Sequence, residues 1–436
     1  MSESTGVTET LEIMPAPGPI RATVTVPGSK SLTNRALLIA ALADGRSTLA
    51  GALHSDDTRY MAGALRALGV EVREDPAGAR FEVAGCGGRF PAERADLFAG
   101  ASGTAARFLT AALTLGHGYY TLDGVPRMRE RPIQPLLDAL AQLGADARSR
   151  DGTGCPPVVV AAHGLPGGTC RVRGDLSSQY LSALLMAGPY AEQGIAVEVE
   201  GALVSRPFVG LTAAVMRDFG ATVTEDGDRF VVPPGRYRAR DYAVEPDATA
   251  ASYFFAAAAV TGGTVRVAGL GRGAIQGDVA FVDVLARMGC TVERDAGGIT
   301  VTGPARLRGV EADLAPISDT ALTLAAIAPF ADGPVALHGL AHTRHQETDR
   351  LAAATAELRR LGARVDERPD GLTIYPSALH GGMVATYGDH RMAMSFALIG
   401  LRVPGVVIAD PRCVEKTFPD FFARFAAMQE GGGAGG

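Results

Sequence analysis

The sequence predicts an α/β fold of two similar domains, each built from three repeats, and two observations support this prediction. The first is length, because 436 residues are too many for one ordinary hydrophobic core. The second is a pattern that recurs six times: a small polar or acidic residue, an alanine-rich apolar helix, a turn, and an alternating strand that closes on Gly or Asp. The copies are Ser31 to Gly51, Ser102 to Gly124, Ser177 to Gly201, Asp247 to Gly269, Ser318 to Gly339, and Asp389 to Asp410.

A second, amphipathic helix is predicted between successive copies. Five of these helices end in a glycine that precedes a strand, as expected for a left-handed C-cap. These glycines are Gly69, Gly144, Gly220, Gly289 and Gly362. The run Phe418 to Gln429 is predicted to be the sixth helix, and the domain boundary is placed at Val244 to Asp247, where Pro246 interrupts the chain.

Composition and charge exclude several classes of protein. With 47% hydrophobic and 20% charged residues, the chain has the composition of a soluble globular protein. A net charge of -6 argues against a nucleic-acid or anionic-membrane partner. The N-terminus lacks the basic start and apolar core of a signal peptide, and the most apolar run, Ala248 to Val260, is too short to cross a bilayer.

The cysteines indicate neither a disulfide framework nor a zinc site. Their number is odd, they are widely spread, and no CxxC pair occurs. We therefore expect a reducing compartment and a cytoplasmic protein. The five residues are Cys86, Cys155, Cys170, Cys290 and Cys413.

A basic, hydroxyl-rich loop, Pro27 to Arg35, is predicted to run into the apolar helical segment Ala36 to Leu42. Ser29 or Ser31 can cap that helix, and uncapped N–H groups at a helix start attract anions. Lys30 adds a point charge, and Arg35, one turn past Ser31, adds a planar fork. The loop is interpreted as an anion site, with a solvated turn as the alternative. It is not a P-loop, because the spacing GxxxxGK[ST] is missing.

The other helix starts are also rich in polar groups. Capping accounts for Ser102, Ser318 and Asp389, but it does not account for Gln179, Asp319 and Arg391, which lie beyond the caps. Basic residues crowd the connecting loops, and we interpret them as clamps for phosphorylated ligands, with solvated faces as the alternative. These residues are Arg127, Arg129, Arg131, Arg344, Arg350 and Lys416.

Eight segments together resemble the 5-enolpyruvylshikimate-3-phosphate synthases of the enolpyruvyl transferase family. In chain order they are PGSKSLTNRALL, SGTAARF, GVPRMRERPI, GDLSSQYLSALL, EPDATAASYFFAAAA, QETDRLAA, YGDHRMAM and KTFPDFF. The resemblance implies an inside-out α/β barrel in each domain, made of three βαβαββ units. It further implies a discontinuous domain of residues 1–28 plus 246–436, an inserted domain of residues 29–245, two crossing strands and an active site in the cleft between the domains.

The resemblance also implies the reaction. The enolpyruvyl group of phosphoenolpyruvate is transferred to the 5-hydroxyl of shikimate 3-phosphate and phosphate is released, without metal or cofactor, in aromatic amino-acid biosynthesis. The partners expected are these two small molecules, with no nucleic acid and no membrane, and the chain is expected to be a monomer.

Residue roles follow from the resemblance, position by position. Asp319 is expected to take the 5-hydroxyl proton, Glu347 to transfer a proton at the methylene carbon, and Lys30 to touch phosphoenolpyruvate, while His390 supports the site. The residues expected to bind shikimate 3-phosphate are Lys30, Ser31, Arg35, Ser177, Ser178, Gln179, Ser205, Asp319 and Gln346. Those expected to bind phosphoenolpyruvate are Lys30, Gly103, Arg131, Gln179, Arg350, Arg391 and Lys416.

The chain departs from the family pattern at several positions. Gln346 stands where a lysine that contacts the shikimate substrate is usual. The others are His342 for Asn, Phe208 for Tyr, Ala101 for Asn, Ser102 for Ala, and Phe108 for Pro. Three alternatives therefore stay open: a paralogue acting on a related hydroxylated acid, the sister transferase that acts on UDP-N-acetylglucosamine, and a non-catalytic sensor of phosphorylated metabolites. The sister enzyme usually carries a loop cysteine, and Cys86 does not lie where that loop belongs.

Overall fold

The computed structural model describes residues 9–430, which form 12 α-helices and 23 β-strands in six sheets. These residues divide into two compact units. Pro27–Glu245 forms one, here called the inserted unit, and the residues up to Val26 together with those from Pro246 onward form the other, the discontinuous unit. Most of the N-terminal segment considered for a signal peptide lies outside the described residues.

The inserted unit contains three sheets of four strands, each with two helices. The first repeat comprises α1 (Lys30–Leu42), β3 (Asp44–Ala50), α2 (Asp56–Ala67), β4 (Glu71–Asp75), β5 (Arg80–Cys86) and β14 (Asp241–Ala243). The second comprises β6 (Arg94–Phe98), α3 (Gly103–Leu113), β7 (His117–Asp123), α4 (Gln134–Gln142), β8 (Asp146–Ser149) and β9 (Val158–His163). The third comprises β10 (Gly168–Arg173), α5 (Ser178–Ala187), β11 (Ile195–Glu200), α6 (Pro207–Asp218), β12 (Thr224–Asp226) and β13 (Arg229–Val232).

The discontinuous unit repeats this plan. Its first repeat comprises β2 (Arg21–Val24), α7 (Ala248–Thr261), β15 (Thr264–Ala268), α8 (Phe281–Arg287), β16 (Thr291–Arg294) and β17 (Gly298–Thr302). The next comprises β18 (Val310–Asp313), α9 (Ala321–Ile327), β19 (Val335–His338), α10 (Arg350–Arg360), β20 (Val365–Arg368) and β21 (Gly371–Ile374). The last comprises β22 (Gly382–Val384), α11 (His390–Gly400), β23 (Val406–Ala409), α12 (Phe421–Gln429) and β1 (Thr10–Ile13).

One topology serves five of the six sheets. In each of these the first two strands are parallel and the last two form an antiparallel hairpin, as in the order β6-β7-β9-β8. A helix joins the two parallel strands directly in the sheets that begin with β6, β10 and β18. In the sixth sheet a single strand, β1, pairs antiparallel to β23 in place of the hairpin. Two sheets take their first strand from a segment next to a unit boundary: β2 pairs with β15, and β14 pairs with β3.

The first helix of each repeat forms the centre of its unit. In the discontinuous unit α7, α9 and α11 pack against one another, and from Ala248 to Val260 every residue of α7 is buried. A helix that is apolar on all sides must be surrounded by protein. The sheets therefore lie outside the helices, because the alanine-rich helices leave no polar face for water.

The predicted caps are largely confirmed. The five glycines that follow the second helices all have φ near +90°, and five first helices are capped by Ser29, Ser102, Ser177, Asp247 and Asp389. Two predictions were wrong. The loop expected through Arg35 is already helical from Lys30, because Ser29 caps α1. Ser318 does not cap α9, because a 3-10 turn, Ala315–Thr320, precedes that helix. Within residues 9–430 no helix is long and apolar enough to span a membrane.

Candidate active site

The start of α1 brings a lysine close to a buried carboxylate. Ser29 accepts a hydrogen bond from the Leu32 N–H at 3.4 Å, so Lys30 lies in the first turn. Its Nζ is 3.7 Å from Oδ2 of Asp57, whose side chain is only 1% exposed. Asp57 was not among the predicted site residues. The signal was present, since two acidic residues begin an amphipathic helix there, but that pattern is also typical of an ordinary helix N-terminus.

Arg35 is buried and is held by neutral groups. Its Nε donates to Oγ1 of Thr212 at 2.7 Å, Nη1 donates to the Ser31 carbonyl at 2.9 Å, and Nη2 donates to the Phe208 carbonyl at 3.2 Å. The rings of Phe108 and Phe208 lie 5.0 and 6.0 Å from the guanidinium carbon. Within the described residues no carboxylate is bonded to Arg35. Burial lowers the pKa of this guanidinium to about 9. The site therefore holds a cation without a counter-charge, which favours an anionic ligand.

Arg35 is hydrogen-bonded to both α5 and α6. The serines predicted to bind shikimate 3-phosphate in the third repeat lie at or just before the starts of these two helices. Ser177 caps α5 by accepting from the Gln179 N–H at 3.2 Å, and Ser178 is buried in the first turn. Arg35 reaches α6 through Thr212 and α5 through Ser182. Ser205 precedes α6 with a φ of +52°, which is uncommon for a residue with a side chain.

The start of α3 is enclosed by two guanidinium groups. A Cβ at Gly103 would lie 2.6 Å from Nη2 of Arg131 and 2.9 Å from Nη1 of Arg107, so any side chain here would force these guanidinium groups to shift. Nη1 of Arg131 donates to the Ala101 carbonyl at 3.2 Å, and Nη2 of Arg107 donates to the Pro132 carbonyl at 2.9 Å. A helix N-terminus flanked by two buried arginines is a strong anion site. The predicted pair Gly103 and Arg131 is thus brought together. Arg107 follows Ser102, Gly103 and Thr104 in the polar start of the second repeat, and it is a third member to which the sequence assigned no ligand.

In the discontinuous unit, Arg350 is the centre of a charge network. It begins α10 and is 3% exposed. Its Nε donates to Oδ2 of Asp389 at 2.8 Å, Nη2 donates to Oε2 of Glu347 at 3.0 Å, and Nη1 donates to Oδ1 of Asp319 at 3.3 Å and to the Gln346 side-chain oxygen. Burial acts to lower the pKa of Arg350, but the charges of Asp389 and Glu347 outweigh it and raise this pKa.

Both acids predicted to move protons lie between two cations. Asp319 Oδ2 accepts from Nη2 of Arg391 at 2.7 Å, while its other oxygen accepts from Arg350. Glu347 Oε1 pairs with Nζ of Lys416 at 2.5 Å, while Oε2 accepts from Arg350. Ion pairs thus link five side chains in series: Arg391, Asp319, Arg350, Glu347 and Lys416. We call these five side chains the charge network. The structure therefore assembles into one network five side chains that are spread over about 100 residues of sequence.

Arg391 is positioned by two further contacts. Its backbone N–H donates to Oδ1 of Asp389, the cap of α11, at 2.9 Å, and Nη1 lies 3.5 Å from the Tyr253 hydroxyl. Burial acts to lower the pKa of Arg391, but Asp319 and Tyr253 outweigh it and raise this pKa. Asp389 therefore both caps the helix that carries Arg391 and accepts from Arg350, and its second role was not predicted.

Some residues interpreted as clamps or caps have other partners. Arg127 pairs with Glu130 and Arg129 with Asp123, both at the surface, and Arg344 pairs with Asp349 and Glu367. Ser318 lies 2.9 Å from Nε2 of His342. His390 is fully buried beside Asp389. Within residues 9–430 no group of three or more His, Cys, Asp or Glu side chains is arranged to hold a metal ion.

Comparison with known proteins decides the family. The family model for EPSP synthase (3-phosphoshikimate 1-carboxyvinyltransferase) matches residues 14–425. The chain belongs to the EPSP synthase family. A 3-phosphoshikimate 1-carboxyvinyltransferase of Nostoc punctiforme is 50% identical over 424 residues, which cover 97% of this chain and 100% of that protein. The chloroplastic enzyme 1 of Nicotiana tabacum is 48% identical over 92% of this chain and 82% of its own length.

Solved structures agree with this assignment. An EPSP synthase from Acinetobacter baumannii has a TM-score of 0.80 and 26% identity, covering 95% of this chain and 97% of that one. The enolpyruvyl transferase NikO from Streptomyces tendae has a TM-score of 0.76 at 20% identity, covering 97% and 98%, and it shares the fold. The predicted α/β fold is confirmed, and so is the EPSP synthase family in preference to the UDP-sugar transferase or a sensor.

Proposed function

We propose that this member of the EPSP synthase family transfers the enolpyruvyl group of phosphoenolpyruvate to the 5-hydroxyl of shikimate 3-phosphate, with the charge network performing the proton transfers. Relatives named for this activity are half identical over nearly the whole chain. The observation that carries the residue roles is the arrangement of Asp319 and Glu347, each between two cations. An acid, a base and a dense cationic frame are the groups that this addition and elimination require.

In the first step the 5-hydroxyl gives its proton to Asp319, and its oxygen forms a bond to C2 of phosphoenolpyruvate. The C2–C3 double bond becomes single, and C3 takes a proton from Glu347. Glu347 must have taken up this proton beforehand, when phosphoenolpyruvate displaces its carboxylate from Arg350 and Lys416. The product of this step is a tetrahedral ketal. In the second step the bond from C2 to the phosphate oxygen breaks, C3 returns a proton to Glu347, and the double bond reforms. The proton held by Asp319 leaves with the phosphate, so charge and atoms balance.

The cations of the network would hold phosphoenolpyruvate. Arg350, Arg391 and Lys416 already bind carboxylates of the protein, so their geometry suits the carboxylate and phosphate of the substrate. An anionic substrate competes with Asp319 and Glu347 for these cations. Binding would therefore loosen both acids at the moment when they must move protons. Gly103, Arg131, Gln179 and Lys30 are proposed to complete this subsite.

The inserted unit would hold shikimate 3-phosphate. Arg35 supplies a buried cation bonded to neutral groups, and its bonds to α5 and α6 place it near hydroxyls that can donate to a phosphate. The proposed ligands are Lys30, Ser31, Arg35, Ser177, Ser178, Gln179 and Ser205. Asp319 and Gln346 are proposed to meet the same substrate from the discontinuous unit.

The residues proposed to bind each substrate come from both units. The reaction therefore requires each substrate to contact both units. We propose that the active site is a cleft between the domains, that one chain is sufficient and that the enzyme is a cytoplasmic monomer. Both proposed subsites are built from residues of a single chain, so no second copy is needed to complete the site. Size-exclusion chromatography with light scattering tests the monomer, and small-angle scattering with and without both substrates tests closure of the cleft.

The deciding experiment measures phosphate release from phosphoenolpyruvate with three acceptors: shikimate 3-phosphate, unphosphorylated shikimate and UDP-N-acetylglucosamine. We expect turnover with shikimate 3-phosphate alone. Turnover only with the nucleotide sugar would contradict the proposed acceptor, and binding of both substrates without turnover would contradict the proton chemistry. Asp319→Asn tests the base, and Asp366→Asn, an exposed aspartate on β20, is the matched control.

A further inference from the structure

Asp278 is a buried carboxyl group that the proposed proton transfers do not use. It lies in the 3-10 turn Gly277–Ala280 and is 4% exposed. The hydroxyl of Thr249 donates to Oδ2 of Asp278. Within residues 9–430, Oδ1 has no hydrogen-bond partner. A buried carboxylate with one unsatisfied oxygen is costly in the charged form, so this position favours a protonated side chain.

The turn that carries Asp278 packs against α7 and against the 3-10 turn that carries Asp319. Preceding it, Gln276 accepts from the Ala248 N–H at 3.1 Å and donates to the Pro246 carbonyl at 2.7 Å, which fixes the turn on the start of α7. The position of Asp278 is therefore set by a second, independent pair of hydrogen bonds.

Three charged groups act on Asp278. Asp319 and Asp247 are negative, and Arg391 is positive. On the helix that follows the turn, Asp283 is exposed and pairs with Arg294 at 2.5 Å. Burial first, and then the charge of Asp319, raise the pKa of Asp278 to about 7. The charge of Asp278 is in turn among those that raise the pKa of Arg391.

We propose that Asp278 is a positioning residue for Arg391: its uncharged carboxyl leaves the Arg391 guanidinium to Asp319 and phosphoenolpyruvate, and its ionised form competes for that cation. The inference rests on the proposed role of Arg391 in binding phosphoenolpyruvate. An ionised Asp278 acts in two ways. It attracts Arg391 away from the Asp319 pair, and it adds a negative charge close to where an anionic substrate binds.

The consequence is a pH-dependent affinity for phosphoenolpyruvate. As pH rises through 7, Asp278 ionises and the KM for phosphoenolpyruvate rises. The phosphate of the substrate also titrates near this range, but it does so equally for every enzyme variant. The ratio of KM values between the parent enzyme and a variant therefore isolates the protein's own contribution.

The test measures KM for phosphoenolpyruvate and kcat from pH 5.5 to 8.5, at constant ionic strength and saturating shikimate 3-phosphate, in the parent and in Asp278→Asn. Asparagine keeps the shape and the acceptor for Thr249 but cannot ionise. We expect equal KM values below pH 6 and a KM about fivefold lower in Asp278→Asn at pH 8.5. A ratio of the two KM values that does not change with pH would overturn the proposal. Asp283→Asn is the matched control and should follow the parent.

A second variant, Thr249→Val, tests the proposal even if Asp278→Asn folds poorly. Thr249→Val removes the hydroxyl donor that stabilises the ionised carboxyl, so the rise in KM should move to higher pH. A rise in KM at the same pH as in the parent would contradict the proposal.

Arg391→Lys distinguishes a failure of the proposed binding role of Arg391 from a failure of the proposed role of Asp278. If Arg391→Lys leaves KM unchanged, the proposed binding role of Arg391 is wrong, whereas a raised KM in Arg391→Lys with parallel parent and Asp278→Asn profiles would overturn the role of Asp278 alone.

Discussion

Arg350 and Asp389 form a buried, forked ion pair that joins two helices. Nε donates to Oδ2 at 2.8 Å and Nη2 donates to Oδ1 at 3.3 Å, and the Asp389 side chain is 0% exposed. Asp389 also caps α11, and Arg350 begins α10. The pair therefore sets the distance between the helix that carries Arg391 and the segment that carries Glu347.

Breaking this pair should destabilise the fold. Arg350→Ala leaves the buried Asp389 carboxylate without its main counter-charge, and we expect the free energy of unfolding to fall by about 3–5 kcal/mol. Urea unfolding followed by circular dichroism measures the change. Arg359→Ala removes an exposed arginine of the same helix that donates to the Val365 backbone carbonyl, and it should cost only about 1 kcal/mol. A loss for Arg350→Ala no larger than that of the control would show that Asp389 is stable alone.

Asp319→Asn should abolish most turnover with little effect on binding. Asparagine keeps an oxygen for Arg391 and Arg350 but cannot take the hydroxyl proton, so kcat should fall by about 10²- to 10⁴-fold. Steady-state kinetics give kcat, and calorimetry gives the affinity for each substrate. The two dissociation constants should stay within about threefold, since one charge is removed from a site with several cations. A kcat close to that of the parent would remove Asp319 from the mechanism.

Gly103→Ala should weaken the binding of phosphoenolpyruvate. The added Cβ would lie 2.6 Å from Nη2 of Arg131, which is buried, so this guanidinium must shift from its place at the start of α3. We expect the KM for phosphoenolpyruvate to rise about tenfold while the KM for shikimate 3-phosphate changes less than about twofold. Gly210→Ala, a glycine in α6 with open space around its Cβ position, serves as the control. Equal effects on both substrates would indicate a general disturbance of the unit.

Arg35→Met should separate stability from function. The buried guanidinium has neutral partners and a lowered pKa, so an apolar side chain of similar length should leave the unfolding midpoint unchanged or raise it. Shikimate 3-phosphate should lose about 30-fold or more in affinity, because a charge-assisted contact is removed. Thermal unfolding with and without this substrate reports both quantities. Unaltered stabilisation by the substrate would exclude Arg35 from its binding site.

Asp278 should make stability depend on pH. Its folded pKa of about 7 lies above the ordinary value near 3.9, so between these limits the folded protein binds the proton more strongly than the unfolded chain. The stabilisation is present below about pH 4 and is lost as pH rises towards 7, by up to about 4 kcal/mol. The difference in unfolding free energy between the parent and Asp278→Asn, measured at pH 5 and pH 8, should therefore change by a few kcal/mol. A constant difference would show that Asp278 is ionised throughout.

Much of this molecule follows from local sequence. The six alanine-rich helices, the glycines with left-handed backbone after the second helices, and the caps at Ser29, Ser102, Asp247 and Asp389 depend on residues within one or two turns, so the sequence alone predicts them. The resemblance of eight segments supplied the family, and with it the identity of the site residues. Where the local signal was ambiguous, as at Ser318, a 3-10 turn replaced the expected cap.

Only the tertiary structure determined which charges meet. In the sequence, helix capping is a sufficient explanation for Asp389. In the fold, its carboxylate also accepts a hydrogen bond from Arg350, which lies 39 residues earlier in the chain. Asp57 and Asp278 look like ordinary helix and turn residues in the sequence until their partners are known. The physical reason is that backbone conformation depends on neighbours in sequence, whereas Coulomb and desolvation energies depend on distance and burial. Distance and burial are set only when the secondary-structure elements pack together.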